Sequence, residues 1–197
     1  MAVKNSPTSR KTEVLRQLTD YVSERGFVEA SLRPMAAAAG TNARMLIYHF
    51  NSKEAMVAEI MDELRLRNRE LFRRWLDEQE ARSAEDLLTY IWNWSSSRRI
   101  ENVHRTIFEA ALYGSSGRNP LAPAVKRLAT DWVQLLEGSL VARGFSNQEA
   151  RSLATFAIAA MRGLMLDLLA TGDRARVNAG AHVICTAWKQ RLQAKTR

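Results

Sequence analysis

The chain has 197 residues and a net charge of +8 at pH 7, with an isoelectric point near 10.1. This length can bury a real core, and the basic excess predicts attraction to a polyanion, either nucleic acid or an anionic membrane surface. The single cysteine, Cys185, excludes an intrachain disulfide framework. No apolar run approaches the roughly 20 residues of a membrane span, and the N-terminus lacks the apolar block of a signal peptide. We expect a soluble cytoplasmic protein with no membrane partner.

The first predicted helix follows a polar N-terminal tail. Apolar residues recur at helical spacing from Val14 to Val22, and Gly26 is placed to end this helix. Ser31 then suits the N-cap of a short second helix, in which Met35 and Ala39 lie on the apolar face. These two helices are too small to be stable alone and are expected to pack with a third.

A sharp turn and a third helix follow. Gly40 is placed to end the second helix, and three small or polar residues, 41–43, make a tight turn before the apolar pair Leu46 and Phe50. The opposite side of the third helix carries Arg44 and Tyr48, which can reach phosphates or base edges. The spacing predicts a helix-turn-helix whose second helix suits a DNA major groove.

The remaining chain is predicted to be helical throughout. A long helix, capped by Asn51 or Ser52, reaches about Gln79 and links two domains. Its arginines over residues 65–74 alternate with acidic residues at salt-bridge spacing and are expected to form a solvated face. Further helices are expected over residues 83–94, 100–112, 120–143, 146–171 and 174–192, and no segment alternates as a strand. Ser83 with Asp86 and Ser146 with Glu149 have the spacing of capping boxes, and Gly172 is placed to end the helix that follows Ser146. We predict an all-α fold, with a helix-turn-helix domain over 1–53 and a larger helical domain over 54–197.

Three sequence segments make the chain resemble the tetracycline-repressor-like (TetR) family of bacterial transcription regulators. They are the alanine-rich helix MAAAAG, the run LIYHF that ends at Phe50, and SKEAM shortly after it. The resemblance covers about the first quarter of the chain, and the rest agrees in architecture. It implies an N-terminal domain that binds DNA and a larger domain that dimerises and holds a small-molecule effector.

The resemblance also implies a set of DNA contacts: Arg33, Thr41, Asn42, Arg44, Met45, Tyr48, His49 and Lys53. At Ile47 the family commonly has an aromatic residue, so the resemblance carries no phosphate contact over to that position and leaves this role to Tyr48. From chemistry alone, Arg44 suits guanine or phosphate or is a solvated charge, and His49 suits a phosphate or packs between helices. Asn42 is expected to cap the third helix rather than read a base.

Two further sites are expected in the larger domain. Aromatic, histidine and methionine residues on apolar faces line an effector pocket or form plain core: Trp92, Trp94, His104, Phe108, Tyr113, Met161 and Met165. Ala159 and Gly163 allow close helix approach and, with Trp188, make a dimer seam, although internal packing would show the same pattern.

The sequence thus predicts a homodimeric repressor that binds a palindromic double-stranded operator and is released by a small-molecule ligand. The main alternative is a helical small-molecule-binding protein without sequence-specific DNA binding. An enzyme is disfavoured, because His49, His104 and His182 have no metal-ligand spacing and no glycine-rich phosphate motif occurs. We expect no cofactor, no metal and no catalytic residue.

Overall fold

The computed structural model describes residues 7–26, 31–77, 86–98, 101–114 and 122–196. Within these ranges the chain forms nine α-helices and no strand, so the all-α prediction is confirmed. The helices are α1 (Pro7–Arg25), α2 (Leu32–Ala38), α3 (Ala43–Phe50), α4 (Lys53–Asp77), α5 (Leu87–Ser95), α6 (Glu101–Gly114), α7 (Ala122–Val141), α8 (Asn147–Thr171) and α9 (Arg174–Thr196).

The connection between α2 and α3 is made by backbone hydrogen bonds around a glycine. The N–H of Gly40 donates to Ala37 O at 3.1 Å, and the N–H of Thr41 donates to Ala36 O at 2.9 Å. This is the Schellman pattern, and Gly40 takes the left-handed φ of 57° that it requires. The predicted stop at Gly40 is confirmed. Ser31 does occupy the N-cap position of α2, but its side chain makes no capping hydrogen bond.

Helix α8 begins and ends where its sequence signals lie. The Ser146 hydroxyl accepts from the Glu149 N–H, and the Glu149 carboxylate accepts from the Ser146 N–H, which completes the predicted capping box. Gly172 ends the helix with a φ of 69°. The capping box predicted at Ser83 falls outside the described residues, and Asp86 at the N-cap of α5 makes no side-chain cap bond.

By length and composition alone, α8 is apolar enough to cross a membrane, the one such helix in the described ranges. The core helix of a water-soluble protein passes the same test. Residues including Ala154, Ile158, Met161 and Met165 of α8 are buried against neighbouring elements, and Arg162 and Asp167 lie along the same helix. Charged side chains are rare in membrane spans, so the length of α8 is weak support for one.

The helices divide into two compact units. The first unit is Met1–Glu70 with Arg105–Leu128, and the second is Leu71–His104 with Ala129–Arg197. The core of the first unit comes from one face of each of α1 to α4 and the start of α7. Its largest fully buried side chains are Leu18, Met35, Leu46, Phe50, Met56, Ile60, Met61 and Leu64. The predicted functional division at residues 53 and 54 is a different kind of boundary and stays a prediction.

In the second unit, α8 and α9 pack side by side in opposite directions. Leu164 of α8 meets Gly180 of α9, where an added Cβ would lie 3.2 Å from Leu164 Cδ2. Nearer the connection, Arg176 Nη1 donates to Asp167 Oδ2 at 2.8 Å. The sequence pattern suggested close approach at Gly163, but a Cβ there would meet nothing within 4 Å of the chain. Gly180 therefore makes the close α8 to α9 contact.

Candidate DNA-binding surface

Helix α3 is anchored in the first unit by its apolar side. Leu46 and Phe50 are buried, and Lys11 Nζ of α1 lies 5.1 Å from the centroid of the Phe50 ring. Asn51 ends the helix with a φ of 68°, a conformation that asparagine tolerates better than most residues. Ser52 then caps α4 by accepting from the Ala55 N–H at 3.0 Å. Both ends of α3 are fixed by local bonds.

Asn42 caps the N-terminus of α3. Its Oδ1 accepts from the Met45 N–H at 3.0 Å, and its backbone is extended. One of the unpaired amides of the first helical turn is thereby satisfied. The capping role expected from the sequence is confirmed, and a DNA contact from the remaining amide nitrogen stays a prediction.

The opposite side of α3 faces solvent. Arg44 and Tyr48 lie one turn apart and are exposed, and 73% of Tyr48 is accessible. Met45 and Ile47 are exposed beside them. His49 is half-buried, and its ring centroid lies 5.5 Å from that of Tyr48 and 6.4 Å from that of Phe50. His49 therefore packs at the edge of the exposed surface, which leaves both of its expected roles open.

The surroundings of this surface are cationic. Between Ser31 and Lys53 the sequence contains Arg33, Arg44 and Lys53 but no aspartate or glutamate. All three cations are exposed, and Lys53 opens α4, where its charge opposes the helix dipole and favours an external anion. Thr41 is half-buried in the turn before α3. A polyanion would find attractive charge along the whole helix-turn-helix.

Arg10 is an addition that the sequence did not suggest. It is exposed on α1, and its Nη2 donates to the Gly40 carbonyl oxygen at 3.4 Å, beside the turn of the helix-turn-helix. The contact spans 30 residues, and no local pattern signals it. Arg10 brings a fourth exposed cation to this surface.

Ion pairs hold α1 against α4. Lys11 Nζ donates to Glu59 Oε1 at 2.7 Å, and Arg67 donates to Asp20 Oδ1 and Glu63 Oε1, each at 2.6 Å. Burial opposes the charge of Arg67, but its bonds to Glu63 and Asp20 hold its pKa above the ordinary value. The arginine-rich part of α4, expected to be a solvated face, therefore includes a contact between helices.

The expected pocket residues are distributed over both units. Five of them are buried in the second unit: Trp92, Trp94, His104, Met161 and Met165. Phe108 is half-buried in the first unit, and the Tyr113 side chain lies outside the described residues. Trp94 packs edge-on against Phe72 with a centroid distance of 6.0 Å. No bound molecule tests the pocket assignment, so it stays a prediction.

A polar groove of about 410 Å³ runs between α5 and α9 in the second unit. Trp92 lines it and donates from Nε1 to Asn178 Oδ1 at 3.1 Å. His182, Cys185 and Lys189 lie along the α9 side, and burial raises the pKa of the Cys185 thiol. Within the described ranges no three His, Cys, Asp or Glu side chains cluster as metal ligands.

The three residues of the expected dimer seam have different surroundings. Ala159 and Gly163 are exposed on α8. Trp188 is only 7% exposed, because it points into the core of the second unit. Large apolar side chains are nevertheless accessible on the same two helices, with Phe156 69% exposed on α8 and Val183 67% exposed on α9.

These helices form a helix-turn-helix unit of the kind that bacterial regulators use on DNA, followed by a second helical unit. Two family models match the chain: "Bacterial regulatory proteins, tetR family" over residues 19–60, and "Transcriptional regulator LmrA/YxaF-like, C-terminal domain" over residues 95–182. The chain belongs to the TetR family of bacterial transcriptional regulators.

One relative agrees with this assignment, and solved structures share the fold. The HTH-type transcriptional repressor KstR2 of Rhodococcus jostii is 38% identical over 74 residues, which are 36% of this chain and 36% of that protein. A transcriptional regulator from Rhodococcus sp. Rha1 has the same fold, with a TM-score of 0.72, 19% identity and coverage of 93% and 96% of the two chains. The regulator FadR of Bacillus subtilis, solved with stearoyl-CoA, gives a TM-score of 0.65 at 12% identity over 90% and 96%.

Proposed function

We propose that this chain is a homodimeric transcriptional repressor that binds a palindromic DNA operator through α3 and is released by a small-molecule effector. The observation that carries the proposal is the exposed side of α3. There Arg44 and Tyr48 stand one turn apart on a helix fixed at both ends, within a segment free of acidic residues. Such a helix can enter a major groove without repelling phosphates.

Each side chain has a proposed role on DNA. Arg44 makes a bidentate contact to guanine, for which its planar guanidinium is suited. Asn42 holds the helix, and Met45 lies against base edges. The remaining residues are proposed to contact phosphates, which orients the protein on DNA without specifying the sequence. They are Arg33, Thr41, Tyr48, His49 and Lys53.

The dimer is proposed to form through the exposed apolar side of α8 and α9. Phe156, Ala159, Gly163 and Leu166 lie on the accessible side of α8, and Val183 on that of α9. Exposed apolar patches of this kind mark protein contacts. A two-fold axis would pair the patch with its own copy and present two α3 helices to half-sites about 34–36 Å apart. Trp188 supports the patch from within.

The effector is proposed to bind the second unit. The KstR2 relative is a repressor and the FadR neighbour was solved with an acyl-CoA, which supports release by a metabolite. The buried aromatics Trp92 and Trp94 and the groove beside α9 offer apolar and polar contacts for such a molecule. Such an effector weakens DNA binding by no more than the ratio of its affinities for the DNA-free and the DNA-bound protein. We propose a cytoplasmic location, because the operator DNA of a bacterial regulator lies there.

The test of DNA binding is recovery of genomic fragments that the purified protein retains at moderate salt, followed by salt titration on a single duplex. We expect sequence-specific binding with a steep salt dependence. Arg44→Ala should lose about 1–3 kcal/mol of specific binding free energy. Arg151→Ala is the matched control, because it removes the same charge from an exposed position on α8. Binding without any sequence preference would favour the small-molecule-binding alternative.

The test of the dimer is the molar mass in solution. Phe156→Arg places a charge in the proposed interface and should convert the dimer to a monomer. Leu135→Arg makes the same change at another exposed apolar position, on α7, and should leave the mass unchanged. A dimer that tolerates Phe156→Arg at low micromolar concentration would refute this interface.

A further inference from the structure

Exposed apolar side chains are concentrated on α3. Of the nine large hydrophobic residues that are accessible within the described ranges, three are Met45, Ile47 and Tyr48, on a helix of only eight residues. Single exposed apolar residues are ordinary on protein surfaces, whereas a cluster indicates a surface that binds something. The buried side of α3 is already formed by Leu46 and Phe50, so the three exposed residues are not needed for the core.

The arrangement separates polar from apolar groups. With 3.6 residues per turn, Arg44 and Tyr48 share the middle of the exposed side, while Met45 and Ile47 fall on opposite flanks. Met45 is 37% and Ile47 is 36% accessible. Asn42 is occupied as the cap. His49, on the Met45 flank, is half-buried, so the exposed side chains of the two flanks are a thioether and an aliphatic chain.

The major groove presents one apolar group, the 5-methyl of thymine. The other base edges there carry donors and acceptors, and covering those with methionine or isoleucine would remove water without replacing its hydrogen bonds. We infer that Met45 and Ile47 are specificity-determining residues that contact thymine methyl groups on either side of the base read by Arg44. This inference rests on the proposed binding of operator DNA by α3.

The inference predicts the composition of the half-site. Thymines should flank the guanine contacted by Arg44, because a thymine methyl group would gain an apolar contact on each flank of α3. A buried methyl contributes about as much as a buried CH₂, which corresponds to a roughly fourfold change in affinity. Ile47, the position to which the TetR resemblance carries over no phosphate contact, then has a readout role of its own.

The experiment begins with a random duplex library from which the wild-type protein selects its preferred sequence. The selected duplex is then synthesised with deoxyuridine in place of thymidine, one position at a time. Uracil keeps the same pairing and the O4 acceptor and lacks only the methyl group. We expect the dissociation constant to rise about fourfold at each contacted position and to be unchanged elsewhere.

Two variants assign the methyl contacts to residues. Met45→Ala should abolish the thymine to uracil discrimination at one position, and Ile47→Ala at a different one, while each binds the corresponding uracil duplex as the wild type does. Both residues are exposed, so the melting temperature should be nearly unchanged. Leu66→Ala is the matched control, an exposed leucine on α4, and should keep the full discrimination.

The possible results are distinguishable. Equal affinity of the wild type for thymine and uracil duplexes would overturn the inference and leave DNA binding intact. Discrimination that persists in both alanine variants would also overturn it, because the uracil effect would then arise from DNA shape. If the library yields no preferred sequence, the proposed function itself fails, and the inference fails with it.

Discussion

Removing the cap of α3 should destabilise the helix that the proposal places on DNA. In Asn42→Ala the Met45 N–H loses its acceptor at 3.0 Å. Asn42 is exposed, so no cavity forms and the loss is that of the cap alone. Replacing an N-cap asparagine by alanine costs about 1 kcal/mol, within a range of about 0.5–2. For a chain of this size that corresponds to a fall of roughly 2–4 °C in melting temperature.

A second substitution separates capping from base readout. Serine caps about as well as asparagine but lacks the amide nitrogen. If Asn42 only caps, Asn42→Ser should restore both the melting temperature and the affinity for the selected duplex. If the amide also contacts DNA, Asn42→Ser should restore the melting temperature and leave the affinity low.

Thermal unfolding and duplex titration should be measured on the same protein preparations. Asn147→Ala is the matched control, because Asn147 is exposed at the start of α8, where Ser146 is the cap. Its melting temperature should stay close to that of the wild type. If Asn42→Ala unfolds at the wild-type temperature, the assignment of Asn42 as a stabilising cap is wrong.

Three more predictions concern stability. Gly172→Ala should cost about 1 kcal/mol, because alanine is strained at a φ of 69°. Gly138→Ala, in open space on α7, should raise the free energy of unfolding by about 0.5–1 kcal/mol. The urea unfolding midpoints of the two glycine variants measure these opposite changes. Hydrogen bonds from Ser146, and then the charge of Lys195, lower the pKa of the Glu149 carboxyl from 4.5. The stability that the ionised carboxylate contributes is therefore present above pH 4.5 and is lost as the pH falls through the folded-state pKa. Glu149→Gln should flatten the fall in urea midpoint over this acidic range. Asn178→Ala should cost about 0.5–1.5 kcal/mol by removing the acceptor of the part-buried hydrogen bond from the Trp92 N–H, and Asn178→Asp, which keeps an acceptor, should lose less stability by chemical denaturation.

The sequence by itself determined where several helices begin or end. Gly40 and Gly172 end α2 and α8, Asn42 caps α3, and Ser146 and Glu149 form a capping box, all as predicted. Such signals depend on backbone geometry within about four residues, so they can be recognised from the sequence without knowledge of the fold. The apolar period likewise identified Leu46 and Phe50 as the buried side of α3 and Arg44 and Tyr48 as its exposed side.

Only the tertiary structure decided which residues meet across helices. A tryptophan on an apolar stripe can face a core or a partner, and the packing of the second unit buries Trp188. Two glycines on neighbouring helices look equally able to permit close approach, yet a Cβ added at Gly180 would lie 3.2 Å from Leu164, whereas one added at Gly163 would meet no other helix within 4 Å. The contacts of Arg10 with Gly40 and of Arg67 with Asp20 join residues 30 and 47 positions apart. Contacts of this kind depend on how whole helices are placed, which no local pattern of residues encodes.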